Sequence, residues 1–233
     1  MPFWLQRCVS LLEKIWRPEL AHDALNGSHN PSAKALLATR AALNSLASRV
    51  KFQWFDIPER IFGMTDEGSD GKSARVVLQK GYHDFFQNEF LNASLEQQHR
   101  ASLAFAVTLT HELAHAVYLI LRCGSINVPE PYFSPADPVN ELGSACISSL
   151  FNVEIQPINM LFSAKDGLSC HRWADRYRPG PLTHHAVPIG WVCSLFDERT
   201  WQRIRREGKG ELAVPIGNLS SMAPLTEDFQ GLS

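Results

Sequence analysis

The apolar run over residues 101–121 most constrains what this chain can fold into. Thr110-His111-Glu112-Leu113-Ala114-His115 interrupts it with three ionisable side chains. The run reaches back to Ser94-Leu95-Glu96-Gln97. Ser94 suits an N-cap, Gln97 three residues on completes a capping box, and Glu96 lies at the positive end of the dipole. Gly124 offers a stop. The pattern predicts one helix of roughly 27 residues and about 40 Å. Such a helix would cross a domain built from this 233-residue chain from end to end.

His111 and His115 stand at i and i+4, on one helical face, and can present two imidazole nitrogens to one ion. Glu112 lies one step round, within reach of a water on that ion. Burying such groups without partners is costly. Two neutral imidazoles suit Zn²⁺, and the carboxylate suits a general base. The bland reading is a chance HExxH match whose polar groups are satisfied in the core. The capped, apolar helical context favours a metal.

A catalytic zinc takes three protein ligands. Glu130, Asp137, Glu141, Glu154, His171, His184 and His185 are candidates for the third. Glu141 is favoured. Asp137 fits an N-cap and Pro138 the first position of a helix running to about Phe151, so Glu141 would sit on a rigid element. Its bland reading is a carboxylate satisfying a helix N-terminus. His171 is the rival ligand.

With Asn140-Glu141-Leu142-Gly143-Ser144 following HExxH, the chain resembles the gluzincins, the thermolysin-like branch of zincin metallopeptidases, whose second helix carries Asn-Glu-x-x-Ser-Asp. The resemblance covers Asn140, Glu141, Ser144 and the spacing from His115; the wider layout is similar to small HExxH proteins of fungal type. It implies a zincin-like α+β fold, with a small mixed or antiparallel sheet packed on the HExxH helix, N-terminal helices before it and further helices after. It implies Zn²⁺ on His111, His115 and Glu141, with Glu112 as general base of a peptidase or amidohydrolase. A hydrolase or lyase acting on a small molecule, and a non-catalytic zinc protein, are the alternatives. Ala145 stands where the family has an Asp that orients a zinc-binding histidine. Asp137, Asp84 or a backbone carbonyl would have to replace it. The family's oxyanion donor is a downstream His or Tyr; His184, His185 and Tyr177 occupy that part of the chain, each equally readable as an ordinary polar residue. By the same analogy Ala74–Gln79 would be the edge strand along the cleft. Arg172, Arg176 and Arg178 could hold a substrate carboxylate or phosphate, or make surface salt bridges.

Leu5, Val9, Leu12 and Trp16 mark a short amphipathic helix ended by Pro18, and Asn30-Pro31 opens another to about Val50, with Leu36, Leu37, Leu43, Leu46 and Val50 inward. Residues 51–57, 61–64 and Ala74–Gln79 read as strands, Asp70-Gly71 as a turn, and residues 82–86 as an extension of the sheet. Residues 152–158 suggest a strand and Glu198–Glu207 a closing helix. One catalytic domain over residues 1–217, its first fifty helical, and a flexible tail over 218–233 are expected. Net charge is −2, and the only basic run is Arg203-Ile204-Arg205-Arg206, which points away from nucleic acid. Five single cysteines without CxxC argue against a disulfide framework and a Cys₄ zinc site. Arg7, Glu13 and Lys14 break any signal-peptide core, and His111, Glu112 and His115 interrupt the one candidate bilayer span. A cytoplasmic protein with a peptide or small-molecule substrate and no membrane partner is expected; the oligomeric state is left open.

Overall fold

The structure, a computed structural model, describes residues 37, 41, 44, 48–58, 61–121, 129–132, 137–158, 164–207 and 209–216. It is α+β, with two three-stranded sheets and a long helix that packs on strands of both. The first sheet comprises β1 (Val50–Phe55), β2 (Gly63–Glu67) and β3 (Ala74–Gln79), in the order β1-β3-β2. β1 runs parallel and β2 antiparallel to β3, so the sheet is mixed, as expected. β3 is its central strand, which corrects the reading of Ala74–Gln79 as an edge; its near-continuous burial follows from having neighbours on both sides. The edge is β2. Between β2 and β3 the chain turns at Asp70-Gly71. The Asp70 carboxylate accepts the Lys72 and Ser73 amides at 2.9 and 2.8 Å, and Gly71 takes φ +62°.

Residues 82–86 do not extend the sheet. A short helix, α1 (Lys80–Asp84), leads into a π-helical turn at Phe85–Glu89 and a 3₁₀ turn at Phe90–Asn92. The aromatic spacing explains this. Tyr82 and Phe86 both reach Phe105, at ring centroid distances of 5.4 and 5.5 Å, which one helical turn allows, whereas on a strand they would stand about 13 Å apart.

The long helix, α2, spans Leu95–Leu121, 27 residues. The capping box forms: the Gln97 amide donates to Ser94 Oγ at 3.3 Å and the Ser94 amide to Gln97 Oε1 at 3.0 Å. Three sides of α2 are covered. Ala116, Val117 and Ile120 meet Ala74, Val76 and Leu78 of β3. Leu103, Ala104 and Val107 enter the main core with Tyr82, Ile155, Leu168 and Val192. Ala114 and Tyr118 pack on Leu142, Cys146 and Leu150. Leu95–Ile120 has the length and composition of a bilayer span despite its ionisable residues, and half of its most apolar window is buried within the protein. A helix wrapped on three sides must be apolar nearly all round.

After α2 come α3 (Leu142–Phe151), β4 (Glu154–Pro157), β5 (Leu168–His171), β6 (His185–Ala186), α4 (Ile189–Ser194) and α5 (Glu198–Glu207). The second sheet is antiparallel, β4-β5-β6. Asn152, in the left-handed region at φ 62°, ends α3. Toward the N-terminus, Leu37, Ala41 and Asn44 are helical, but Leu37 is 65% exposed rather than inward, and Val50 already belongs to β1. The first expected helix, Leu36, Leu43, Leu46, Gly124 and the tail lie outside the described residues.

Because α2 carries contacts to both sheets, its cap bears on the whole domain. Ser94→Ala is expected to lower unfolding free energy by about 0.5–2 kcal/mol in urea titration; an unchanged midpoint would show that the cap adds nothing.

Candidate metal centre

His111 and His115 lie one turn apart on α2, with Nε2 atoms 3.2 Å from each other. Glu141 meets them there. Its Oε1 lies 2.7 Å from His115 Nε2 and 3.3 Å from His111 Nε2. Among the described residues these form the one group of three His, Cys, Asp or Glu donors that converge closely enough to share an ion.

Glu141 is delivered by a helix start that differs from the expected one. α3 begins at Leu142 and not at Pro138; Glu141 itself is the N-cap, with extended backbone (φ −124°, ψ 101°). Its Oε2 accepts the Ser144 amide. The two readings of this residue are therefore compatible: one oxygen caps α3 and the other faces the histidines.

Gly143 makes the approach of α3 to α2 possible. A Cβ there would fall 2.5 Å from Cδ2, Cε1 and Nε2 of His111. Any side chain would push the imidazole or the helix away.

The partner of His115 is Glu130, and not Asp137, Asp84 or a carbonyl; Asp84 pairs with Lys80 and His83. Glu130 Oε1 lies 2.5 Å from His115 Nδ1, and its Oε2 accepts the Leu142 amide at 3.0 Å. With Nδ1 held by Glu130, Nε2 is the nitrogen turned toward Glu141 and His111. Tyr118 of α2 donates to the Pro129 carbonyl at 2.7 Å and pins the segment that carries Glu130. In the sequence Glu130 stands only as a candidate third ligand. A loop residue has no fixed spacing to a helix; the flanking Pro129 and Pro131 were the one sign of a stiffened segment.

The charges are strongly coupled. Burial opposes a charge on His115, yet Glu130 and Glu141 raise its pKa to about 10. Burial pushes Glu141 up, but the His115 contact and the two imidazoles bring it down to about 2. A field that holds a proton this firmly attracts any cation at the same point.

Glu112 is buried, at 5% exposure, and turns toward β2. Thr65 Oγ1 lies 2.7 Å from its Oε2 and 3.1 Å from its carbonyl oxygen. A Cβ at Gly63 would fall 2.7 Å from Glu112 Cγ and Oε1. The edge strand thus lies against this carboxylate, through a residue without a side chain. Gly63 and Thr65 were not singled out in the sequence, because nothing local ties a strand to a helix 47 residues on.

Among the described residues, none of the other candidate ligands joins the three-donor group. His171 is buried and contacts Glu154 at 2.7 Å, not the three-donor group. The buried His184 packs edge-on against His171, with centroids 5.1 Å apart. His185 lies in β6 opposite Cys170. Tyr177 is 46% exposed and meets Trp173 edge-on. Arg178 pairs with Asp175 at 2.9 Å, and Arg176 lies 3.9 Å from Glu154, so both make intramolecular ion pairs. Cys146, Cys170 and Cys193 are free thiols, and burial pushes Cys170 up to about 11. No family model matches the chain, and no curated protein or solved structure matches it.

Two outcomes follow from this geometry. Gly143→Ala, at the second residue of α3, should displace the His111 ring; titration with zinc should show weaker binding, and unchanged affinity would refute the packing argument. In chelator-treated protein, the raised His115 pKa contributes stability that is complete below 6.5 and lost as pH rises toward 10. Urea midpoints should fall across that window and the slope should vanish in His115→Gln; a flat profile in the parent protein would contradict the coupling.

Proposed function

We propose that the chain is a zinc-dependent hydrolase of peptidase or amidohydrolase type, on a zincin-like arrangement of the gluzincin branch. The observation that carries this reading is the convergence of His111 Nε2, His115 Nε2 and Glu141 Oε1 on one point, with the buried Glu112 on the same helix. Two imidazoles and one carboxylate suit zinc by donor chemistry, and Glu130 on His115 supplies the kind of outer partner that zinc histidines have. The mixed sheet before the HExxH helix and the glutamate on the next helix support the zincin-like reading.

His111, His115 and Glu141 would hold the ion. Bound zinc supplies Lewis acidity, which acidifies a water and polarises a carbonyl. Glu112 takes the proton of the attacking water and passes it to the leaving group. Thr65 holds the Glu112 carboxylate in place from β2, so base and edge strand are fixed relative to each other. β2 then replaces Ala74–Gln79 as the strand along which an extended peptide would lie by main-chain pairing. That proximity of an edge strand to the base favours a peptide over a small molecule. His184, His185 and Tyr177 have no role in this scheme.

Glu112→Gln tests the reading. It should keep zinc and lose about 10²–10⁴-fold in kcat on cleaved peptides or amides. Retained zinc with undiminished hydrolysis would remove Glu112 as base, and hydrolysis by neither protein would leave a non-catalytic zinc protein.

A further inference from the structure

Apart from the three donors, a row of polar side chains crosses the second sheet. Glu154 of β4 and His171 of β5 are register partners, and Glu154 Oε2 lies 2.7 Å from His171 Nε2. His184 stands beside His171 on the far side of the row, and Gln156 Nε2 lies 3.4 Å from His184 Nδ1. Ser144, His171 and His184 are 5, 2 and 5% exposed. The contact between Glu154 and His171 is off the hydrogen-bond axis, and neither His171 ring nitrogen makes a hydrogen bond. Burial pushes the Glu154 carboxyl up, but His171 and the Ser144 hydroxyl bring it below its ordinary value.

A buried carboxylate–imidazole pair is a poor way to fill a core. Well-packed apolar residues of the same volume stabilise as much or more. What such a pair can provide is orientation. Here the other oxygen, Glu154 Oε1, accepts the Ser144 hydroxyl. The amide of that same Ser144 donates to Glu141 Oε2. Ser144 is therefore fixed at both ends, by Glu154 through its side chain and by Glu141 through its backbone. With Oε2 held, Oε1 is the oxygen left to face His111 and His115.

We propose that Glu154, seated on His171, is a positioning residue of the metal centre: through the Ser144 hydroxyl it sets the first turn of α3 and hence the carboxylate of Glu141. The inference rests on the metal-centre reading above. It gives the row a role that direct contact with the ion does not, and it accounts for a serine at a buried helical position where alanine has the better propensity.

The test uses the full chain in four forms: parent, Ser144→Ala, Ser144→Thr and Glu154→Gln. Ser144→Ala removes one oxygen and keeps the amide that caps Glu141, so it serves even if Glu154→Gln fails to fold. Zinc affinity is measured by chelator competition, the cobalt-substituted absorption spectrum reports donor geometry, and unfolding is followed in chelator. The expected result is a loss of about 10–100-fold in zinc affinity with an altered cobalt spectrum in Ser144→Ala, the chelator-treated protein unfolding as the parent does. Ser144→Thr, which restores the hydroxyl, should recover the parent spectrum. Parent-like affinity and spectrum in Ser144→Ala would overturn the proposal. So would an affinity loss matched by equal destabilisation without a spectral change, since that is the mark of a structural role alone. If the parent itself binds no zinc, the metal-centre reading fails and this inference with it; a parent that binds zinc with indifferent variants sinks only the present inference.

Discussion

The close approach of the α3 N-terminus to the middle of α2 is the contact on which the site depends. Without it, His111 and His115 would be two polar residues emerging from an apolar helix with nothing to receive them. Gly143 permits the approach by leaving the His111 ring room. Leu142, Cys146 and Leu150, packed on Ala114 and Tyr118, hold it by burial. The same helix start turns Glu141 out of the helical conformation, so that one of its oxygens caps while the other meets the imidazoles. A single constraint, backbone against imidazole, thus links core packing to the geometry of the donors.

Around that contact the chain distributes carboxylates with distinct tasks. Glu141 faces the histidines, Glu130 fixes the orientation of His115 and also caps Leu142, and Glu112 is turned toward β2 and Thr65. Two half-buried carboxylates, Glu130 and Glu141, beside the imidazoles form an environment that favours positive charge, which the raised pKa of His115 reflects. Such charges are unfavourable in a core unless they are paired, and each of these has a specific partner. The arrangement reads more readily as a site under chemical constraint than as one that merely stabilises the fold.

How far the sequence revealed this depends on whether the information was local. The capping box at Ser94 and Gln97, the extent of α2, the turn at Asp70 and the three donors were legible, because each rests on spacing within one helix or turn or on a short motif. The start of α3 was misplaced by four residues' worth of signal: Asp137-Pro138 has the chemistry of a helix start, but Glu141 caps instead through the Ser144 amide. The central place of β3 is not legible, because strand order cannot be read from chain order. The roles of Glu130, Gly143, Gly63 and Thr65 are not legible in the sequence for a common reason. Each acts on a residue of another element, and nothing in its immediate neighbours encodes that meeting. His184, His185 and Tyr177 rest on position along the chain alone; in the structure His185 lies in β6 and His184 packs on His171 of β5.

The most direct measurement is the metal content of the purified chain alongside Glu141→Gln, by elemental analysis, with a chelator-treated sample reloaded in parallel. The account predicts near-stoichiometric zinc in the parent, restored on reloading, and a marked loss in Glu141→Gln, where the charged donor is gone and the shape is kept. A parent chain that neither retains nor takes up zinc would contradict it, as would a Glu141→Gln variant that binds zinc as tightly as the parent.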